Sequence, residues 1–584
     1  MTRSALPTST LRHHARRWVA VVASVALACG LVACGDSQEG VGIKSAEPPA
    51  DPTVVETEID AADSLVDNAD TVVVSAMGPK TERRAAAIAV AVGAPMLVVR
   101  TADNQKRIDN ARAEGGSLAF QDDVEQARQQ AAEESYWAQA TSGSPADEVS
   151  AELERLKPSH VVLVGETDFD ASAEGRTVIT DAGNAQAFAN ITGREVKGVP
   201  EGERYPAKAI AAMDRKEPTA PDLEVSATDT KEVELPEMKG SGDDDMVILA
   251  APGSPLGAIA TARAAGHDVL YLPAADPRAT DDSISAIRDG REVVGLGSVF
   301  GDNEKLAKLS KIAGNKDVAK LNLAGGGQVL FPGRRMVALY GHPGAPAMGV
   351  MGEETPKEAI EDVKKRVVEY AKYTDEPVVP MFEIIASVAQ ADPGSDGTYS
   401  VTAPAKDLEP YIDAITDAGG YVVLDLQPGN AKFLDQAKFY EDLLKRPNVG
   451  LALDAEWKME PGVAPATEVG HVTADEVNEV ADWLANLTRE NNLPQKMLML
   501  HQFQLQMIRD REKIDTSHPE LSIVLHADGH GTPGQKLETW NVMKQDLQPD
   551  IFLAWKNFID EDQPMFTPEQ TAQIDPTPWV VTYQ

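Results

Sequence analysis

Asp454 and Glu456 stand two residues apart in the run Leu453-Asp454-Ala455-Glu456-Trp457, and a close carboxylate pair is simple acid–base machinery. Neither ionises freely beside the other, so the upper pKa rises towards the range in which a carboxyl donates a proton at neutral pH. If the run ends a strand, alternation sends residues i and i+2 to the same side and both groups face one cavity. Trp457 beside them offers an aromatic face on which a sugar ring can stack.

The elements that must position this pair are legible in the last 250 or so residues. Apolar runs at 336–341, 378–385, 421–426, 449–454, 497–501, 521–526, 550–555 and 579–583 read as strands. Helical patterns at 356–373, 407–418, 431–446, 474–491, 502–511 and 535–546, and a short one at 568–573, lie between most of them. Eight strands with intervening helices over this length predict a (β/α)8 barrel, whose chemistry sits at the C-terminal strand ends. Those ends carry His342, Glu383, Asp425, Asp454 with Glu456, His501 with Gln502, His526 with Asp528, and Trp555 with Lys556. Glu456, Asp454, Asp425 and Glu383 are therefore the catalytic candidates. Trp457, His501, His526, Asp528, Trp555 and Lys556 are the candidates for holding a substrate. His342, His501, His526, Asp528 and His530 are ligand types suited to zinc. The densest group, His526-Ala527-Asp528-Gly529-His530, matches no recognised ligand spacing, so the sequence assigns no metal and no cofactor.

The Asp-x-Glu at the end of the fourth strand is similar to that of chitinase-like and lysozyme-like barrel glycosidases. The resemblance implies that Glu456 protonates a leaving oxygen, with Asp454 as its charge partner. The glutamate nucleophile on the seventh strand of many retaining barrel glycosidases is absent, and Trp555-Lys556 stands there instead.

Upstream, one order of elements occurs twice. Strand 71–74, an alanine-rich helix 83–92, strand 94–99, helix 149–156 and strand 160–165 are followed by strand 246–250, helix 257–265, strand 268–273, helix 283–288 and strand 292–297. Continuous apolar strands separated by helices predict parallel sheets covered on both faces, and the recurrence predicts an internal repeat. The pieces Ala85 to Val99 with Pro158 to Gly165, and Ile259 to Pro273 with Val293 to Gly297, resemble the type 2 cell-wall-binding repeats of Gram-positive surface proteins. That resemblance implies non-covalent attachment to wall polysaccharide or peptidoglycan. The usual closing Gly-Gly is replaced by Gly165-Glu166 and Gly297-Ser298, and an insertion spans about 101 to 148.

The first residues read as a targeting segment. Arg3, Arg12, Arg16 and Arg17 precede an uncharged run from Trp18 to Ala33, too short for the roughly 20 residues of a membrane span. Leu31-Val32-Ala33-Cys34 resembles a lipobox, which implies cleavage before Cys34, acylation of its thiol and a lipid anchor on the extracytoplasmic face of the cell membrane. Ala26-Leu27-Ala28-Cys29 is a second, weaker match. With only Cys29 and Cys34 present, the processed chain has no intramolecular disulfide. A net charge of −38 excludes nucleic acid as a bulk electrostatic partner.

The predicted organisation is a signal peptide (1–33), an acidic and proline-rich tether (34–65), a first wall-binding-like α/β domain (66–216), an acidic hinge (217–245), a second such domain (246–332) and the barrel (333–584). Two functions remain open at this stage: a glycan-acting hydrolase, and an envelope lipoprotein that binds a wall ligand without turning it over.

Overall fold

The computed structural model describes residues 43–45, 51–114, 136–137, 142–200, 205–235, 238–242, 245–318 and 323–584. Cys34 and the rest of the targeting segment lie outside the described residues. Two four-stranded parallel sheets are followed by a closed barrel of eight parallel strands.

The first sheet runs Met96–Val99, Thr71–Ala76, His160–Val164, Thr177–Thr180, and the second runs Thr53–Val55, Glu292–Leu296, Met246–Ala250, Val269–Tyr271. The central strands are valine- and isoleucine-rich because helices or loops cover both faces. Helices Pro79–Val92 and Leu256–Ala264 pack against each other between the sheets, and their alanines are buried in one shared core. Small side chains are what allow the approach. A Cβ on Gly257 would come 2.4 Å from Glu58 Cγ, and Thr261 Oγ1 reaches across to accept from the Met96 amide at 3.0 Å.

Part of the expected tether is folded. Thr53–Val55 pairs in parallel with Glu292–Leu296, and Glu58–Leu65 is a helix that buries Ala61, Ala62 and Leu65. The acid and proline of the surrounding stretch conceal a Thr-Val-Val strand and a capping box in which Thr57 and Asp60 satisfy each other's backbone amides. The expected hinge is likewise anchored. Thr230 is buried, accepts from Ala182 N and donates to Thr180 O, Val233 N donates to Asn190 O, and Val233 and Leu235 pack on the core. This segment has no regular helix or strand among its described residues, which is why its composition reads as a linker, but it forms a strap along the first sheet.

Two acids are buried where the helices meet. Glu58 accepts from the Gly143 amide at 3.2 Å, and Glu82 accepts from Gly78 N, Ser142 Oγ and the Tyr136 hydroxyl. Burial, with Glu82 nearby, pushes the Glu58 carboxyl up to about 8, and burial pushes Glu82 up to about 7.

The barrel strands are Arg335–Gly341, Val378–Ala389, Tyr421–Leu426, Val449–Asp454, Lys496–Gln502, Leu521–Ala527, Phe552–Asn557 and Val580–Tyr583. Each pairs in parallel with the next, and the eighth closes on the first. Alternate residues form an inner layer that includes Met336, Met381, Tyr421, Met499, Val524 and Val580, while their neighbours pack under the helices. The helix expected at 502–511 is absent. Short 3-10 turns at Leu505–Met507 and Arg511–Lys513 flank a two-residue strand, Ile508–Arg509. Tertiary hydrogen bonds outweigh helix propensity there: the Arg511 guanidinium donates to Gln502 Oε1 and to the carbonyls of Met543 and Gln545.

Leu323, Leu330 and Phe331 plug the N-terminal end of the barrel against the inner layer. The buried Arg334 guanidinium holds this plug by donating to the carbonyls of Ala324, Gly326, Val329 and Leu330. Burial lowers its pKa to about 10. Arg334→Met is expected to destabilise the barrel by roughly 2–4 kcal/mol in denaturant titration, because several carbonyls are left buried without donors. A loss below about 0.5 kcal/mol, the range of neutral surface changes, would show that the plug does not depend on it.

Candidate active site

Each barrel strand contributes one inward polar side chain near its C-terminal end: Tyr340, Glu383, Asp425, Asp454, His501, His526, Lys556 and Thr582, all buried. Their contacts cross the lumen. Tyr340 OH on the first strand donates to Asp425 Oδ2 on the third at 2.9 Å, and Lys556 Nζ on the seventh lies 3.6 Å from the Tyr340 ring centre. His501 Nε2 on the fifth strand is 2.6 Å from Glu383 Oε1 on the second. Thr582 Oγ1 on the eighth is 2.9 Å from His526 Nε2 on the sixth. Side chains that meet across non-adjacent strands must point into the barrel.

His501 is the hub. Its Nδ1 lies 2.9 Å from Asp528 Oδ2, and its Nε2 lies 3.3 Å from His526 Nδ1. Burial alone would favour the neutral ring, but the charges of Glu383 and Asp454 and the bonds to Asp528 and Glu383 hold the His501 imidazolium well above the usual range. Burial opposes ionisation of Glu383 too, yet His526 and His501 hold it well below the usual carboxylate range. His526 is pushed down by burial, and Asp528 is held low by its bond to His501 despite burial. The remaining acids go the other way. Burial raises Asp454 well above its ordinary value and lifts Asp425 to about 6.

Glu456 differs from the other four acids. The fourth strand ends at Asp454, and residues 455–457 form a 3-10 turn, so strand alternation does not place Glu456 as the sequence suggests. The turn carries it to the same mouth, where burial and the Asp528 charge raise its pKa to about 7 while Lys556 and His501 oppose the rise. Among the five carboxyls it alone is partly exposed, the others being at most 6% accessible.

No family model matches this chain. No curated protein matches it either. Among solved structures, Cwp6 from Clostridium difficile is similar over 62% of this chain and 67% of that one, with 12% sequence identity and a TM-score of 0.26. A likeness at that level carries no argument, so the reading of the site rests on its own geometry.

That geometry brings together Glu383, Asp425, Asp454, Glu456, His501, His526, Asp528 and Lys556. Trp457 is half-buried on the turn with Glu456. Trp555 is a correction: it faces outward, packed edge-on against Trp540 and Phe566 with ring centres 5.6 and 5.1 Å away, and is only 1% exposed. Alternation gives the lumen to Lys556 and the helix side to Trp555. Gln502 also faces away, bonded to the carbonyls of Gln504 and Leu505. His342 Nδ1 is 2.8 Å from the Ile385 carbonyl, and the exposed His530 stacks edge-on against Phe558. Tyr340 and Thr582 are the members that end-of-strand polarity does not single out. Counting inward by twos from Ala338 and Val580 finds both.

Proposed function

We propose that this protein is a lipid-anchored envelope protein whose two α/β domains associate with the cell wall and whose barrel hydrolyses a wall glycan. The observation that carries the catalytic part is Glu456, the one partly exposed carboxyl among the five that meet at the barrel mouth. A carboxyl that keeps its proton near neutral pH and can meet a substrate is what a general acid requires. Glu456 passes that proton to the glycosidic oxygen as the bond to the sugar carbon breaks, and water adds its hydroxyl to that carbon and gives up its other proton, which restores the Glu456 acid. Asp454, whose carboxyl is itself raised in part by Glu456, is the charge partner, and Trp457 on the same turn is placed to stack on a sugar.

Incubation of the purified chain with wall polysaccharide and peptidoglycan fractions is expected to release reducing ends from one of them. Saturable retention on a fraction without release would move the reading to a wall-binding lipoprotein. For the anchor, Cys34→Ala is expected to shift the protein from the membrane fraction to the medium or to leave it uncleaved. Unchanged processing and membrane retention would transfer the assignment to Cys29.

A further inference from the structure

We propose that Glu383, His501 and His526 bind a divalent cation of the zinc type at the centre of the barrel mouth. Glu383 Oε1 is 2.6 Å from His501 Nε2, and His526 Nδ1 is 3.3 Å from that nitrogen and 3.5 Å from that oxygen. Three electron-pair donors from three strands, all on wholly buried side chains, thus surround one point. Around a tetrahedral zinc with bonds of about 2.0–2.1 Å, ligand atoms lie about 3.3–3.4 Å apart. One of the three separations already has that value, a second is within about 0.2 Å of it, and the third needs to open by about 0.7–0.8 Å.

The far side of each ring supports the same assignment. His501 Nδ1 faces Asp528 Oδ2 at 2.9 Å and His526 Nε2 faces Thr582 Oγ1 at 2.9 Å. Those outer contacts leave the inner nitrogens and Glu383 Oε1 converging on one point, where a bound dication would take the place of the proton that His501 Nε2 otherwise donates to Glu383. Orientation of a ligating imidazole by an outer carboxylate or oxygen is how protein metal sites are held. Glu383 Oε2 is buried and has no hydrogen-bond partner, as is true of Asp425 Oδ1, Asp454 Oδ1 and Asp528 Oδ1. Five acids thus face Lys556, His501 and His526 at this mouth, and a dication offsets part of that excess of carboxyls. Two imidazoles in the set favour zinc over magnesium or calcium. Three protein ligands leave a fourth position open to water or a substrate oxygen. No sequence spacing announces the site because its ligands lie 118 and 25 residues apart.

The test is calorimetric titration of the chelator-treated full chain with zinc chloride, with circular dichroism as the check on folding. One tight equivalent is expected. His526→Ala and Glu383→Gln should each weaken it at least 100-fold, and Thr582→Val, which removes an outer partner, by about 10–100-fold. The partly exposed group Asp482, Asp515 and His518 has ligand types of its own and serves as the internal control. Absence of stoichiometric binding, survival of full affinity in His526→Ala, or loss of the tight equivalent in His518→Ala overturns the proposal. If His526→Ala does not fold, unchanged affinity in Thr582→Val does so. Binding is measured without substrate, so this proposal and the hydrolase reading can each fail alone.

Discussion

Glu456→Gln is expected to lower the release of reducing ends from a wall glycan by about 10²–10⁴-fold, the share of catalysis that a positioned acid supplies. Glutamine keeps the shape and hydrogen-bonding reach of the side chain but has no transferable proton. The sign of the pH dependence follows from the raised carboxyl. Glu456 is protonated below about 7 and loses its proton above it, so wild-type initial rates should fall as pH rises through that value. Rates measured between pH 5 and 9 on wild type and variant check both statements. Thermal stability should change little, since this side chain is partly exposed. Equal rates with a lowered melting temperature would make Asp454 and Glu456 structural and leave binding as the function.

The second large effect concerns stability and lies far from the barrel. Glu58 and Glu82 hold protons in the folded protein up to about pH 8 and 7, whereas the unfolded chain releases them near the ordinary 4.5. Between those limits the folded state binds more protons, so stability falls as pH rises. Glu58→Gln removes one of the two titrations while leaving an oxygen to accept from Gly143. The gain is expected to be near zero at pH 4 and on the order of 3 kcal/mol at pH 8. Melting temperatures of both proteins across pH 4–9 should therefore diverge as the solution becomes more alkaline. Parallel curves would mean that the two acids are solvated rather than sealed.

The barrel strands were legible because each is a continuous apolar run closed by a polar residue, which is what burial on both faces followed by a wet rim demands. The same logic brought Glu383, Asp425, Asp454, His501 and His526 into view one strand at a time. It could not show that His501 would sit between Glu383 and Asp528, because a pairing across the lumen leaves no local trace. Trp555 was misplaced because polarity at a strand end does not say which of two neighbours faces inward. Thr177–Thr180 escaped as a strand because it is a four-residue edge with Thr177 and Thr180 exposed. Residues 53–65 and 502–511 were misread for opposite reasons: acidic composition concealed a fold in one, and an apparent helical pattern yielded to Arg511 and its carbonyl partners in the other.

The placement of Thr53–Val55 beside Glu292–Leu296 also sets a timetable. At synthesis rates of roughly 5–20 residues per second, the roughly 240 residues between these partners take about 12–48 s to emerge. Until then Thr53–Val55 has no sheet to join, and the helix Glu58–Leu65 waits for its neighbour Leu256–Ala264. The second sheet is therefore completed by the oldest of its strands, and during that interval the nascent chain depends on whatever shields that waiting strand.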